Sequence, residues 1–363
     1  MSISLVTIAS VTPSPYQRDL FLALHRALDG NLEVFYFEEV PDDSPWTVGP
    51  LNSWETILPG RVLGKGRVRC HVNSDLPSLE KTAVGIVNAP VTALTTRRFI
   101  QRFRRGSIPW VFWGEYLLPR TGIRGWLQRS LTAILETSTL IVAIGERARE
   151  DYQSRFSENK IANLPYSTDL RAFSEASKKR TDSVRCRFLF AGQMIERKGV
   201  DILLAAFSRL CDEGLPVELI LVGRTGDYEL FSAELASAVK SQISFLGFMQ
   251  PDELPTVFAQ AEVFVLPSRH DGWGVVVNQA FGARMPVITT DATGAGLEFL
   301  KDGRAGFLVE AGSEEELYGA MRKMVEDSSG RERMAEEAAQ IAEKLTPEVM
   351  GMRWKELMGE VLK

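Results

Sequence analysis

The 363-residue chain is poor in the residues that build metal centres and disulfide frameworks. It has three cysteines, Cys70, Cys186 and Cys211, scattered and without a Cys-x-x-Cys pair, and three histidines, His25, His71 and His270. A disulfide scaffold and a Cys/His zinc site are therefore not expected, and a reducing cytoplasm fits. No run of about 18 apolar residues occurs, so no membrane-crossing helix is expected. The opening MSISLVTIASVTPSPY has no Lys or Arg ahead of its short apolar run, and it reads as a first strand rather than a signal peptide. No Gly-x-Gly-x-x-Gly follows that strand, which argues against a NAD-dependent dehydrogenase. Positive charge is also short. The net charge is −5, and neither half is basic enough to suggest nucleic acid as a partner.

What is present is ordinary for a globular protein: 45% hydrophobic and 25% charged residues. At roughly 150 residues per domain the length predicts two domains. Charge divides unevenly between the halves. Residues 1–180 hold 23 Lys and Arg against 18 Asp and Glu, whereas residues 181–363 hold 19 against 29. The two halves can thus meet different partners.

Short β-rich runs alternate with helix-length segments. In the second half these are RFLFAG (187–192), VELILVG (217–223), ISFLG (243–247), EVFVLPS (262–268) and PVITTD (286–291). Between them, stretches such as VDILLAAFSRL (200–210) place apolar residues three and four apart. That is the pattern of βα units in a parallel sheet. The first half repeats it more loosely. It runs through ISLVTIAS (3–10), a helix near 15–29, LEVFYF (32–37), an irregular stretch, VGIVN (84–88) and a helix near 92–105. PWVFWG (109–114), a long helix near 122–137 and TLIVAI (139–144) follow. The expected fold class is α/β, with a Rossmann-like domain over 1–170 and a second over 183–345. The polar stretch 165–183 would be the joint, and a terminal helix would occupy 346–363.

Ligands of open α/β sheets sit beyond the carboxyl ends of the strands. Four motifs fall there. In SRHDGWGVVVNQAFGAR (268–284) Gly272 and Gly274 turn the chain from strand to helix, letting backbone approach a ligand with no Cβ in the way. The helix beyond offers unpaired N–H groups and partial positive charge to a phosphate. Asp271 can accept hydrogen bonds from hydroxyls, and the Gln279 amide can both donate and accept. Phosphate at the glycines and hydroxyls at the flanks describe a nucleotide-sugar, whereas helix capping by Asp271 is the structural alternative. AGQMIERKGVD (191–201) brings Arg197 and Lys198 beside Gly199, two cations able to reach a diphosphate, or else a solvated pair. LVGRTGDYE (221–229), with Gly223, is ordinary βα-turn chemistry or a ligand border. TTDATGAGLEFLKDGRAGFLV (289–309) places four glycines and Glu298 after another strand end.

These pieces in this order resemble the family 4 retaining glycosyltransferases, which have the GT-B fold. Gly192…Lys198-Gly199 matches the family's phosphate element, then comes Pro267-Ser268. Asp271-Gly272-Trp273-Gly274…Gln279 stands where the family has Glu-Gly-Phe-Gly and a second Glu. The match covers about 187–310. It implies two Rossmann-like domains facing each other across a cleft. It also implies a nucleotide-diphosphate sugar as donor substrate and no tightly bound cofactor or metal. Lys198, Arg197 and Asp271 would be catalytic. Gly192, Gln193, Gly272, Trp273, Gly274, Gln279, Gly223 and Glu298 would bind the donor, with Asp271 at the sugar hydroxyls and Gln279 at the ribose. The terminal helix would cross back to the N-terminal domain. Three positions depart from the family. Asp is a methylene shorter than Glu, Gln279 lacks charge, and Gln193 stands where Arg is frequent. Those changes leave two alternatives open, a non-catalytic sugar-nucleotide-binding protein and a sugar-nucleotide epimerase of the same fold.

The acceptor side is less marked. Glu115, past the strand at 109–114, and Tyr16 and Arg18, after the first strand, are the candidates for contact with a glycan or lipid-linked acceptor in envelope or exported glycan synthesis. TTRRFIQRFRRG (95–106) interleaves arginines with Phe99, Ile100 and Phe103, and Arg120, Arg124, Trp126 and Arg129 follow. Residues 95–129 are thus a candidate surface for an anionic membrane, unless the apolar residues belong to the core. The protein would then be cytoplasmic and peripheral at the membrane's inner face.

Overall fold

A computed structural model describes residues 4–39, 47–65, 68–118, 120–156, 160–181 and 183–363. They form two compact units: residues 1–167 with 347–363, and residues 168–346.

The N-terminal unit runs β1 (Val6–Ser10), α1 (Pro15–Ala27), β2 (Leu32–Tyr36), β3 (Glu55–Ile57), β4 (Gly60–Lys65), β5 (Val68–Asn73) and β6 (Val84–Asn88). It continues with α2 (Leu94–Arg105), β7 (Trp110–Gly114), α3 (Gly122–Thr132), β8 (Leu140–Ala143), α4 (Glu146–Arg155) and β9 (Lys160–Asn163). Seven strands make one parallel sheet in the order β3-β2-β1-β6-β7-β8-β9. β1 and β8 are buried at every residue, as expected where helices cover both faces of a parallel sheet. Phe99, Ile100 and Phe103 of α2 sit in the core with Phe35, Phe37 and Trp110. Strand order reverses direction between β1 and β6, so the switch point of this sheet lies at their carboxyl ends.

Two expectations for this unit need correction. The stretch read as irregular contains β3 and the antiparallel hairpin β4–β5. These strands are short or carry charge at alternate positions, so no apolar run announces them. The long helix expected to 137 ends at Thr132 and tightens into a 3-10 turn over Ala133–Thr137.

The C-terminal unit runs α5 (Arg171–Ser177), β10 (Cys186–Ala191), α6 (Val200–Asp212), β11 (Val217–Val222), α7 (Tyr228–Ser232), α8 (Ser237–Lys240) and β12 (Ile243–Phe245). Then come α9 (Leu254–Phe258), β13 (Val263–Leu266), α10 (Val275–Gly282), β14 (Val287–Thr290), α11 (Gly294–Phe299), β15 (Gly306–Val309), α12 (Glu314–Glu326) and α13 (Ser328–Glu343). Its six strands are parallel in the order β12-β11-β10-β13-β14-β15, with the switch point between β10 and β13. The polar stretch read as a joint is not linker throughout. It carries α5, whose Phe173 stacks edge-on against Phe258 of α9 at 5.1 Å between ring centroids.

The chain then returns. α14 (Pro347–Val361) begins on a proline, which suits a first helical position. It packs on α1 in the N-terminal unit. Gly351 lets the two helices approach, since a Cβ there would lie 3.1 Å from the Ala23 carbonyl carbon. Trp354 is buried edge-on against Trp113 at 5.4 Å, and Lys355 Nζ donates to the Ala27 carbonyl at 2.6 Å.

Candidate functional site

Four loops meet at the carboxyl edge of the C-terminal sheet, and glycines let them meet. Gly223 has φ of 142°, and a Cβ there would fall 1.7 Å from the Gly192 carbonyl oxygen. The exits of β10 and β11 are therefore in direct backbone contact. Gly199 has φ of 73°, and its Cβ would fall 1.9 Å from the Pro267 carbonyl oxygen. The short 3-10 turn Glu196–Lys198 is thereby pressed onto the exit of β13.

Side chains stitch the same loops. Arg197 Nη1 donates to the His270 carbonyl at 2.8 Å, and the Arg269 amide donates back to the Arg197 carbonyl at 2.9 Å. The Arg269 guanidinium forks onto the Asp201 carboxylate with two bonds of 2.6 Å, which raises its pKa further. Across this frame Lys198 Nζ forms an ion pair with the Asp271 carboxylate, each side chain 15% exposed. The two residues are 73 apart in sequence. The Asp271 amide also donates to the Ala292 carbonyl at 3.0 Å, which ties the loop to the start of α11. Thr289 and Thr290 anchor β14 to the β13 exit by donating to the Leu266 and Ser268 carbonyls at 2.7 and 2.6 Å.

α10 starts here. Gly274, in the left-handed region at φ 86°, is its N-cap and offers no side-chain cap. In the first turn the Val277 N–H donates to the Gly274 carbonyl at 2.9 Å, and the helix end carries partial positive charge. One turn on, Gln279 is 2% exposed, and its Oε1 has no hydrogen-bond donor among the described residues. An acceptor buried without a donor carries a desolvation cost of about 1–3 kcal/mol, so its persistence points to a donor brought by a ligand.

The residues singled out in the sequence divide as follows. Lys198, Arg197, Asp271, Gly192, Gly223, Gly272, Gly274 and Gln279 lie on these four loops and on α10. Gln193 is exposed on the loop after β10, and Glu298 is half-buried on α11. The Trp273 side chain turns into the core. It is 2% exposed, donates from Nε1 to Asn278 at 3.0 Å, and packs edge-on against Phe299, so only its backbone can meet a ligand.

In the N-terminal unit Arg18 also needs correction. Its Nε and Nη2 fork onto the buried Glu55 carboxylate at 2.8 Å each, and Nη2 donates to the Pro50 carbonyl as well. Burial pushes Glu55 up, but hydrogen bonds from Arg18, Asn52 and Tyr36 outweigh it and hold the carboxyl below its ordinary range. Arg18 is therefore a structural cation. Tyr16 is half-buried on the first turn of α1. Glu115 is exposed just past β7, and its carbonyl accepts from Tyr152 Oη at 2.6 Å. Sequence reasoning missed a polar cluster at the β1/β6 switch point. Gln17 Nε2 donates to Asn88 Oδ1 at 2.7 Å, with Ser10 and the Tyr166 hydroxyl beside it. A signal was there: Asn88 ends the otherwise apolar strand VGIVN.

Known proteins share this fold and parts of this sequence. Residues 174–341 match the model of the family Glycosyl transferases group 1. The alpha-D-kanosaminyltransferase of Streptomyces kanamyceticus is 24% identical over 230 residues, covering 60% of this chain and 58% of that protein. A GDP-mannose-dependent phosphatidylinositol monomannoside mannosyltransferase of Corynebacterium glutamicum is 24% identical over 62% of this chain and 63% of its own length. The chain spans about half the length of the curated relatives it matches. Among solved structures, sucrose-phosphate synthase from Thermosynechococcus elongatus aligns at a TM-score of 0.73 with 16% identity over 99% of both chains. HepE from Anabaena, solved with UDP, aligns at 0.73 with 16% identity over 99% of this chain and 100% of that one. The fold is GT-B, built of two Rossmann-like units, and residues 174–341 are similar to the Glycosyl transferases group 1 family.

Proposed function

We propose that the protein transfers a sugar from a nucleotide-diphosphate sugar to an acceptor hydroxyl with retention of configuration, and that Lys198, Arg197 and Asp271 carry the chemistry. The observation that supports this most is the Lys198–Asp271 ion pair at the β10/β13 switch point, beside the uncapped start of α10. A diphosphate has more negative charge than a carboxylate, so it draws Lys198 away from Asp271. The freed carboxylate then accepts hydrogen bonds from the sugar hydroxyls. Gln279 Oε1 accepts from a ribose hydroxyl. Gly192, Gln193, Gly223, Gly272, Gly274, the Trp273 backbone and Glu298 border the donor.

In the transfer step the bond from the anomeric carbon to the β-phosphate oxygen breaks, and the bond to the acceptor oxygen forms. The leaving nucleoside diphosphate gains a negative charge, which Lys198, Arg197 and the α10 N-terminus stabilise. The acceptor's proton passes to an oxygen of that leaving phosphate. No resident cofactor or metal takes part in this reading. HepE was solved with UDP-glucose, so uridine diphosphate sugars are the first donors to test. Relatives named for capsular polysaccharide and lipopolysaccharide core synthesis support a glycan or lipid-linked acceptor, with Tyr16 and Glu115 as its candidate contacts. A membrane is not needed for donor binding; the surface that would meet one belongs to the N-terminal unit.

The test is thermal shift with UDP, GDP, ADP, CDP and dTDP and their sugars, followed by donor turnover. A ligand at about 100 times its Kd adds about 2.7 kcal/mol, enough to move the melting point by several degrees. A single responding nucleotide with transfer to an acceptor supports the reading. Gln279, uncharged where the family has Glu, favours a second one, a protein that binds the donor and transfers nothing. Binding without transfer or hydrolysis would select it.

A further inference from the structure

Phe99, Ile100 and Phe103 of α2 are in the core, so Arg98, Arg104 and Arg105 face outward. Between residues 94 and 132 there are eight arginines, no lysine and one acidic residue, Glu115. None of the eight has a carboxylate partner among the described residues. Such a surplus is unusual on a chain whose net charge is negative. It is also local. Arg98, Arg104 and Arg105 are exposed on α2, and Arg120, Arg124 and Arg129 are exposed on and just before α3.

α3 adds the second observation. Ile123 is 85% exposed, Trp126 63% and Leu127 48%. Their spacing of three and four puts them on one face of the helix. Leu118, just ahead of the helix, is 49% exposed. A soluble helix normally buries this stripe; α3 turns it outward and carries no acidic residue. The two helices are joined, since Arg97 Nη2 donates to the Leu131 carbonyl at 2.8 Å. A groove of about 450 Å³ lies along α2, lined by Leu94, Arg97, Arg98, Gln101 and Arg104 of that helix, Val72 of β5, and Ile134 in the 3-10 turn that follows α3.

We propose that α2 and α3 form a docking surface for an anionic phospholipid bilayer. Ile123, Trp126 and Leu127 enter the interface, and the groove takes one lipid, phosphate on its arginines and acyl carbon on its apolar residues. The occupant follows from the pairing of chemistries. Phosphate answers arginines that no carboxylate neutralises, and only a lipid also supplies acyl carbon for the apolar stripe and groove. A Trp on the apolar face suits the headgroup boundary. A nucleic acid would meet the arginines and leave Ile123 and Leu127 in water. The proposal makes no use of the donor site and stands or falls apart from it.

The experiment is flotation of the full chain on vesicles of phosphatidylcholine alone and of phosphatidylcholine with phosphatidylglycerol. Binding is expected only with the anionic lipid, falling about fivefold for each arginine neutralised among Arg104, Arg105 and Arg124. The variant I123S/W126S/L127S should lose it while keeping the native melting point and any donor-induced shift. Brominated acyl chains should quench native fluorescence, and W126F should abolish the quenching. Equal binding to both vesicles, full binding by the triple-serine variant, or binding to an RNA homopolymer in place of vesicles would each overturn the proposal.

Discussion

Lys198 faces a carboxylate at present and would face a diphosphate with donor bound, which sets the size of its contribution. Near a protein surface, two unit charges about 4 Å apart interact by about 4 kcal/mol. Part of that attraction is already satisfied by Asp271, so the ground-state gain is smaller than the bare figure. In the proposed reaction, Lys198 would respond specifically to the charge that develops as the diphosphate leaves. A single fixed donor to developing charge contributes about 2.7–4 kcal/mol. Lys198→Met should therefore lower kcat by about 100- to 1000-fold. Stability should change far less. Both partners are 15% exposed, and water can solvate a lone Asp271, so the loss should be about 1 kcal/mol. The double variant K198M/D271N removes the stranded charge as well. It should regain the melting point and turn over no faster than K198M. Steady-state kinetics beside calorimetry reads both quantities. Turnover within about threefold of native in K198M would refute the reasoning, because no developing charge could then be resting on Lys198.

Gln279→Met should hold or raise the melting point, since it deletes an acceptor without a donor, and should weaken nucleotide binding about tenfold by calorimetric titration. Glu55→Gln should cost about 1.5–3 kcal/mol at neutral pH, because the fully buried carboxylate accepts charge-assisted bonds from Arg18 that a neutral amide cannot replace. The folded pKa of Glu55 is depressed, so its contribution is full above the ordinary value of 4.5 and is lost as pH falls through the lower folded value. Native melting points should therefore drop across that acid window, and those of E55Q should drop less; parallel curves would count against the pair. Gly223→Ala should destabilise by more than about 2 kcal/mol through collision with the Gly192 carbonyl. Gly319→Ala, in open space on α12, should stabilise by about 0.5–1 kcal/mol; urea melts compare the two.

The strands of the C-terminal sheet were legible because both faces are covered. VELILV and VFVL are apolar runs with glycine or proline at the exit. The same punctuation exposed the candidate site, whose residues follow strand ends. What escaped depended on partners distant in the chain. Arg18 looks solvent-facing in TPSPYQRDLF, and nothing local foretells Glu55, 37 residues on. Trp273 sits between two glycines, where sequence gives no sign of which way a side chain turns. The interleaved arginines and phenylalanines of 95–106 fit a membrane helix and a core helix equally well. Burial of Phe99 and Phe103 decides for the core and moves the apolar face to α3. Edge strands such as ETI are too short for any periodicity to register.

The return of α14 to α1 has a consequence for biogenesis. The ribosome delivers residues 347–363 only after residues 168–346 have emerged, so the unit begun first is completed after the unit begun second. Until then α1 lacks its cover, and Trp113 lacks the ring of Trp354 against it. A nascent chain paused before Pro347 would hold one finished unit and one open seam. A chaperone would find its hydrophobic client in that seam. A frameshift in the last helix would harm the amino-terminal unit and spare the one encoded next to it.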